Sequence, residues 1–226
     1  MNPVVNVENL ETTFFLKTGP FKAVNRISYS INQGETLGIV GESGCGKSVT
    51  SFSLMGLISS PGKITHGVAK LNGVDLLKLS PAEMENVRGG QMAMIFQEPM
   101  TALNPVLTIG YQMDEQIQKH LKLNIKDSKD RAIEMLNLVG IPSAAERYAS
   151  YPHQLSGGMR QRAMIAMALS CNPQFLIADE PTTALDVTIQ AQILELFQSK
   201  PNKKIRLTVL RDTQTVKATI ILKRPI

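Results

Sequence analysis

The octapeptide GESGCGKS at residues 41–48 restricts this chain more than any other stretch. Residues 36–40 form an apolar run of strand length leading into it, and residues 49–58 read as a helix leading out. Glycines let the backbone turn tightly between them, so that successive N–H groups point inward at a bound anion. The first turn of the following helix adds its partial positive charge. The spacing G-x-x-x-x-G-K-S also supplies Lys47, a point charge able to reach β- and γ-phosphates, and Ser48, a hydroxyl for Mg²⁺. Gly41, Glu42, Ser43, Gly44, Cys45, Gly46, Lys47, Ser48 and Val49 are therefore the candidate contacts of a nucleoside triphosphate.

Before this loop, residues 4–10 alternate weakly and read as an edge strand. Residues 12–16 are β-prone, and residues 23–31 form a further strand after a Gly19-Pro20 turn. Phe14 and Phe15 are candidates to stack on a nucleotide base, Phe21 a weaker one; a core or hairpin aromatic is the competing role for each. After the loop, Pro61-Gly62 breaks the structure, and residues 68–71 with Asn72-Gly73 read as strand and turn. Ser80-Pro81-Ala82-Glu83 places an N-cap, a proline at N1 and an acid at N3, which starts a short helix. Residues 92–96 are an apolar run of buried-strand length that ends at Gln97-Glu98-Pro99.

Residues 101–151 differ in character. Ala132, Met135, Leu136 and Val139 fall on one helical face, Gly140-Ile141-Pro142 closes that helix, and residues 108–121 also read helical. This predicts an all-helical insert, residues 101–155, within an α/β body. LSGGMRQR comes next at 155–162: Ser156 is placed to cap a long apolar helix, and Gly157-Gly158 opens a second helix N-terminus suited to an anion. Residues 175–178 then read as a buried strand ending in Asp179-Glu180. Asp179 there can hold Mg²⁺, and Glu180 can polarise an attacking water.

Taken together, the loop at 41–48, Gln97 at a strand end, LSGGMRQR and the strand ending in Asp179-Glu180 resemble the ATP-binding-cassette (ABC) ATPases, and Ala184-Leu185-Asp186 is similar to that family's D-loop. The resemblance runs from about residue 4 to 198. Within the family, GIVGESGCGKSV, AMIFQEPMTALNP, YPHQLSGGMRQRAMIAMAL and LIADEPTTALDVTIQAQI resemble the ATPase subunits of bacterial dipeptide, oligopeptide and nickel importers. The resemblance implies a P-loop NTPase core with an N-terminal antiparallel β subdomain and the helical insert, an ATP and Mg²⁺ requirement, and ATP hydrolysis coupled to solute import. It implies that Gln97 senses Mg²⁺ and water and that the insert contacts integral membrane permease subunits. Ser156, Gly157 and Gly158 would bind the γ-phosphate held by a second ATPase subunit, with Asp186 crossing that interface. A solute-binding protein would act upstream, at the opposite side of a plasma membrane whose cytoplasmic face carries this subunit.

One family element is missing. The pattern expects a histidine on a strand after Asp179-Glu180, and His66, His120 and His153 all precede it. The segment 199–226 matches neither that strand nor the family's region beyond it, as in a frameshifted or truncated gene or a genuine variant end, and is expected not to supply the strand that normally completes the sheet beside Asp179-Glu180. The alternative expectation is therefore a nucleotide-binding, hydrolysis-impaired remnant.

Charge and cysteines narrow the partners. The net charge is +5, yet from Lys200 onward there are eight Lys/Arg and one Asp, leaving 16 basic and 18 acidic residues before it, a net of −2. The basic character belongs to the tail, and a nucleic-acid-binding cassette is not supported. No run approaches the ~18 apolar residues of a membrane span, no secretory signal opens the chain, and Cys45 and Cys171 form no metal-ligand pattern, so both are expected as reduced thiols in the cytoplasm.

Overall fold

The computed structural model describes residues 3–42, 44–98, 102–179, 204–211 and 214–221, the last two stretches as backbone only. The chain forms two compact units, Met1–Met84 with Lys200–Ile226, and Glu85–Ser199.

In the first unit, β1 (Val5–Leu16), β2 (Gly19–Ile31), β4 (Gly62–Leu71) and β5 (Val74–Asp75) form an antiparallel sheet in the order β2-β1-β4-β5. β1 is thus an inner strand, paired on both sides, rather than the edge strand its weak alternation suggests. The alternation is weak because the strand is bulged. Asn9 adopts φ 49, the register slips between Glu8 and Glu11, and Leu10, Glu11, Thr12 and Thr13 are all buried in succession. β4 begins at Gly62, several residues before the apolar 68–71 segment. Gly67 in it faces the bulge so closely that a Cβ there would lie 2.6 Å from the Asn9 carbonyl oxygen.

β3 (Leu37–Val40) enters the glycine loop and α1 (Lys47–Leu54) leaves it. The helix starts inside the motif and stops before the expected residue 58, because Gly56 takes φ 62 and terminates it in the left-handed conformation that Cβ-bearing residues avoid. Thr12 Oγ1 and Ser53 Oγ, both buried, are 2.7 Å apart and tie α1 to β1. The tail contributes two strands to this unit: β8 (Lys204–Arg211) pairs in parallel with β3, and β9 (Gln214–Ile221) returns antiparallel to it. Its alternation of Ile205, Leu207 and Val209 with Lys204, Arg206 and Thr208 is a strand pattern that a reading by net charge passes over.

α2 (Pro81–Val87) opens with the expected reciprocal cap, in which the Glu83 carboxylate accepts from the Ser80 N–H at 2.8 Å and the Ser80 hydroxyl accepts from the Glu83 N–H at 3.3 Å.

The second unit contains β6 (Met92–Ile95) and β7 (Phe175–Ala178), a parallel pair, with α3 (Ile109–Leu121), α4 (Ile125–Leu138), α5 (Ala144–Tyr148) and α6 (Gly157–Leu169). Its core holds the α4 face Ala132, Met135, Leu136 and Val139 with Ile95, Ile109, Met113, Ile117, Leu155 and Ile165, all buried. Thr108, Asn124 and Ser156 each accept a backbone N–H at the start of α3, α4 and α6, caps typically worth ~1 kcal/mol apiece. Among the described residues, no helix is long and apolar enough to cross a membrane.

Candidate functional site

The first unit carries the glycine loop. Gly44 has φ +83 and open space around a would-be Cβ, whereas Gly46 has φ +94 and sits against β2, where a Cβ would meet the Ala23 carbonyl oxygen at 2.1 Å. Gly46 is also the residue that starts α1, and no side chain caps that helix. Its first-turn N–H groups are therefore left without a side-chain cap, which suits a phosphate. Lys47 folds back over the loop: Nζ donates to the carbonyls of Gly41 at 2.7 Å and Glu42 at 2.9 Å, and lies 3.9 Å from Cys45 Sγ. The ammonium thus holds the loop in shape. Ser48 and Val49 follow in the first helical turn, half-buried, and Cys45 is exposed. Ser43 lies outside the described residues.

Phe14 is half-buried, and its ring lies against Gly62, where a Cβ would come within 2.8 Å of it. Two residues beyond Thr12 and in unbroken register with β4, it shares the sheet face that carries α1. Phe15 and Phe21 are 51% and 55% exposed.

The second unit brings Gln97 and Asp179 together. β6 and β7 run side by side, Ile95 opposite Ala178, and the Asp179 N–H donates to the Ile95 carbonyl at 3.0 Å. Gln97 and Asp179 therefore emerge at adjacent carboxyl ends of two parallel strands, where open α/β sheets place their ligands. Asp179 is half-buried and Gln97 exposed. Glu180 and Asp186 lie outside the described residues.

The LSGGMRQR segment makes a surface turn. Leu155 anchors it in the core, while Ser156 and Gly157 are exposed. Ser156 Oγ accepts from the Met159 N–H at 3.3 Å, and open space surrounds the would-be Cβ positions of Gly157 and Gly158. A bulky phosphate can approach this backbone without meeting a side chain.

These residues fit ATP and Mg²⁺. Among the described residues no three His, Cys, Asp or Glu side chains cluster as a self-sufficient metal cage. Mg²⁺ characteristically takes one or two protein oxygens and completes its shell with phosphates and water, the kind of ligand that Ser48 and Asp179 can each offer.

Sequence reading did not foresee an open groove of about 430 Å³ lined by Glu85, Arg88, Gln112, Glu115, Lys119 and His120. Lys119 pairs with Glu85 across it. The His120 imidazole packs on Gly89 and Gly90, 2.8–2.9 Å from where their Cβ atoms would be. Burial, with Lys119 and Lys122 nearby, lowers its pKa. No signal in the sequence joins the end of α2 to one flank of α3.

The fold and its loops are those of a P-loop nucleotide-binding cassette. The chain belongs to the ABC transporter family, whose model matches residues 24–183. It is 54% identical over 207 residues to the dipeptide transport ATP-binding protein DppD of Escherichia coli K12, which covers 92% of this chain and 63% of that protein. It is 54% identical over 199 residues to the oligopeptide transport ATP-binding protein AppD of Bacillus subtilis, covering 88% and 61%. The chain thus spans less than two thirds of the length of these curated relatives. Among solved structures it resembles the dimeric ATP-binding cassette MJ0796 bound to ADP and Pi, with TM-score 0.82, 24% identity, and coverage of 94% of this chain and 98% of that one. A second dimeric structure of MJ0796 gives TM-score 0.80 at 26% identity.

Proposed function

We propose that this chain is the ATP-binding, ATP-hydrolysing subunit of an importer of dipeptides or oligopeptides, acting at the cytoplasmic face of the plasma membrane. The observation that carries this reading is the 54% identity along 207 residues to a dipeptide transport ATP-binding protein. The 41–48 loop wraps the phosphates, Lys47 leaves its loop carbonyls for β- and γ-phosphate oxygens, and Phe14 stacks on the base. Ser48 and Asp179 offer oxygens to Mg²⁺, which when bound neutralises phosphate charge. Gln97 and Glu180 orient and polarise the attacking water. Two ATPase subunits close on two nucleotides, each presenting Ser156, Gly157 and Gly158 to the γ-phosphate held by the other. Permease subunits dock on the helical segment, and a solute-binding protein selects the cargo.

The test is a titration of Mg·ATP on the chain and on Lys47→Ala. Removing a charged hydrogen-bonding group costs about 1.5–3 kcal/mol, so affinity should fall roughly 10- to 100-fold. Equal affinity sinks the loop assignment. Restored dipeptide uptake in cells lacking their own importer ATPase tests the transport role.

One observation favours a second reading, in which the chain binds ATP but turns it over slowly. All three histidines precede Asp179; His66 lies in β4, His120 in α3 and His153 in a 3-10 turn, Pro152–Gln154. Losing one positioned contact to the transition state costs ~10²–10³ in rate. Turnover compared with a version carrying a family-like histidine strand and helix in place of 199–226 decides it. Equal rates refute the impaired reading.

A further inference from the structure

We infer that Arg162 is a positioning residue, holding the Ser156–Gly158 turn by anchoring it to the end of α4. Its Nε donates to the Gly158 carbonyl, one turn back on α6, at 3.3 Å. Its Nη1 donates to the Gly140 carbonyl at 2.6 Å. Gly140, at φ 73, is the left-handed residue just past α4, where the helix ends in carbonyls with partial negative charge. One planar guanidinium serves both acceptors, which the single nitrogen of a lysine does less well.

A second arginine makes the reciprocal link at the other end of the same helix pair. Arg131, on α4, donates from Nε to the Ser170 carbonyl at 3.2 Å and from Nη2 to Asn172 Oδ1 at 2.9 Å, just past the end of α6. Each helix therefore sends an arginine to the C-terminal end of the other. The two clamps differ in what they hold. Arg131 fixes a buried helix end, where Ser170 is fully enclosed. Arg162 fixes a turn whose solvent side is open, with Ser156 and Gly157 exposed and, apart from chain neighbours, nothing within 4 Å of a would-be Cβ at Gly157 or Gly158. Packing does not define the outer face of that turn, so its N–H groups take their direction from the Ser156 cap, the buried Leu155 and the Arg162 tether.

The functional half of this inference rests on the proposal that the turn meets a nucleotide. Amide hydrogen exchange of the whole chain separates the two parts. In ligand-free Arg162→Met, exchange in residues 157–161 should rise by about tenfold or more. Arg162→Lys should give an intermediate rise, while exchange in 41–54 stays as in the wild type. Arg131→Met, which removes the matching clamp, should leave 157–161 unchanged. Unaltered exchange at the turn in Arg162→Met overturns the positioning role. So does an equal rise in Arg131→Met, or one spread over the whole chain, since either marks general loosening. Separately, Mg·ATP should slow exchange at 157–161 in the wild type. If it does not, the nucleotide-facing reading of the turn falls, while the ligand-free comparison still decides what Arg162 holds.

Discussion

Gly46→Ala and Gly44→Ala form a pair that isolates what the glycine loop demands. Both residues have left-handed φ, so alanine at either carries the conformational cost of that region, roughly 1–2 kcal/mol. At Gly44 nothing else is met. At Gly46 the new Cβ would sit 2.1 Å from the Ala23 carbonyl oxygen, well inside the 3.0 Å that real Cβ contacts respect. That oxygen is backbone of β2, whose neighbour Val24 is paired opposite Thr12 in the sheet, so no side-chain rotation relieves the clash. Overpacking of this kind costs a further ~1–3 kcal/mol, giving about 2–5 kcal/mol in total. Urea unfolding is the assay. With a slope of about 2 kcal/mol per molar urea, Gly46→Ala should unfold roughly 0.5–1.5 M earlier than Gly44→Ala. It should also lose more Mg·ATP affinity, because relief of the clash must displace the first residue of α1. Coincident midpoints would refute the idea that β2 packing, and not φ alone, dictates glycine at 46.

Two further outcomes concern the same unit. The Lys22 ammonium, assisted by Thr65 and Arg26, holds the buried Glu11 carboxyl below its usual value of 4.5. A depressed folded pKa contributes stability that is complete above the unfolded value and is lost as pH falls through the folded one. Glu11→Gln should therefore flatten the stability–pH curve below about pH 4.5, and an unchanged slope in urea titrations across that range refutes it. Cys45 is exposed and Cys171 buried, so brief maleimide treatment should label Cys45 first, with Mg·ATP slowing it; mass spectrometry showing faster Cys171 labelling, or no protection, counts against the loop contact.

Legible and hidden features of the sequence divide along a physical line. Features encoded within a few neighbouring residues are legible: the Ser80–Glu83 cap, the Ser156 cap, the periodic face of α4, and the buried strands ending at Gln97 and Asp179. Each depends on local hydrogen bonding or on a period that survives in one dimension. Features that depend on the partner lying across from a residue are not. β1 reads as a weak edge strand because its bulge at Asn9 puts four consecutive residues inside, a pattern with neither period 2 nor 3.6. Gly67, Gly46 and Gly110 look interchangeable as letters. In the structure they accommodate the Asn9 backbone, the Ala23 carbonyl and the Tyr148 ring respectively.

The three aromatics near the start of the chain show how that hidden information bears on function. By composition and position, Phe14 and Phe15 are equivalent candidates for stacking on a base, with Phe21 a weaker one. Strand geometry separates them. Phe14 stands in register with Thr12, whose hydroxyl meets Ser53 of the helix that the glycine loop opens, and its ring is seated on Gly62. Phe15, one residue on, projects from the opposite face of β1, and Phe21, though cross-strand from Phe14, is more than half exposed. A ring supported from beneath loses little freedom when a base lands on it, whereas a solvated ring must be ordered first. The support costs sequence freedom at 62, because any side chain there would displace Phe14. Gly62→Ala thus connects a position with no chemistry of its own to base recognition. It should weaken Mg·ATP binding without weakening inorganic triphosphate, and equal loss for both ligands would remove Phe14 from the site.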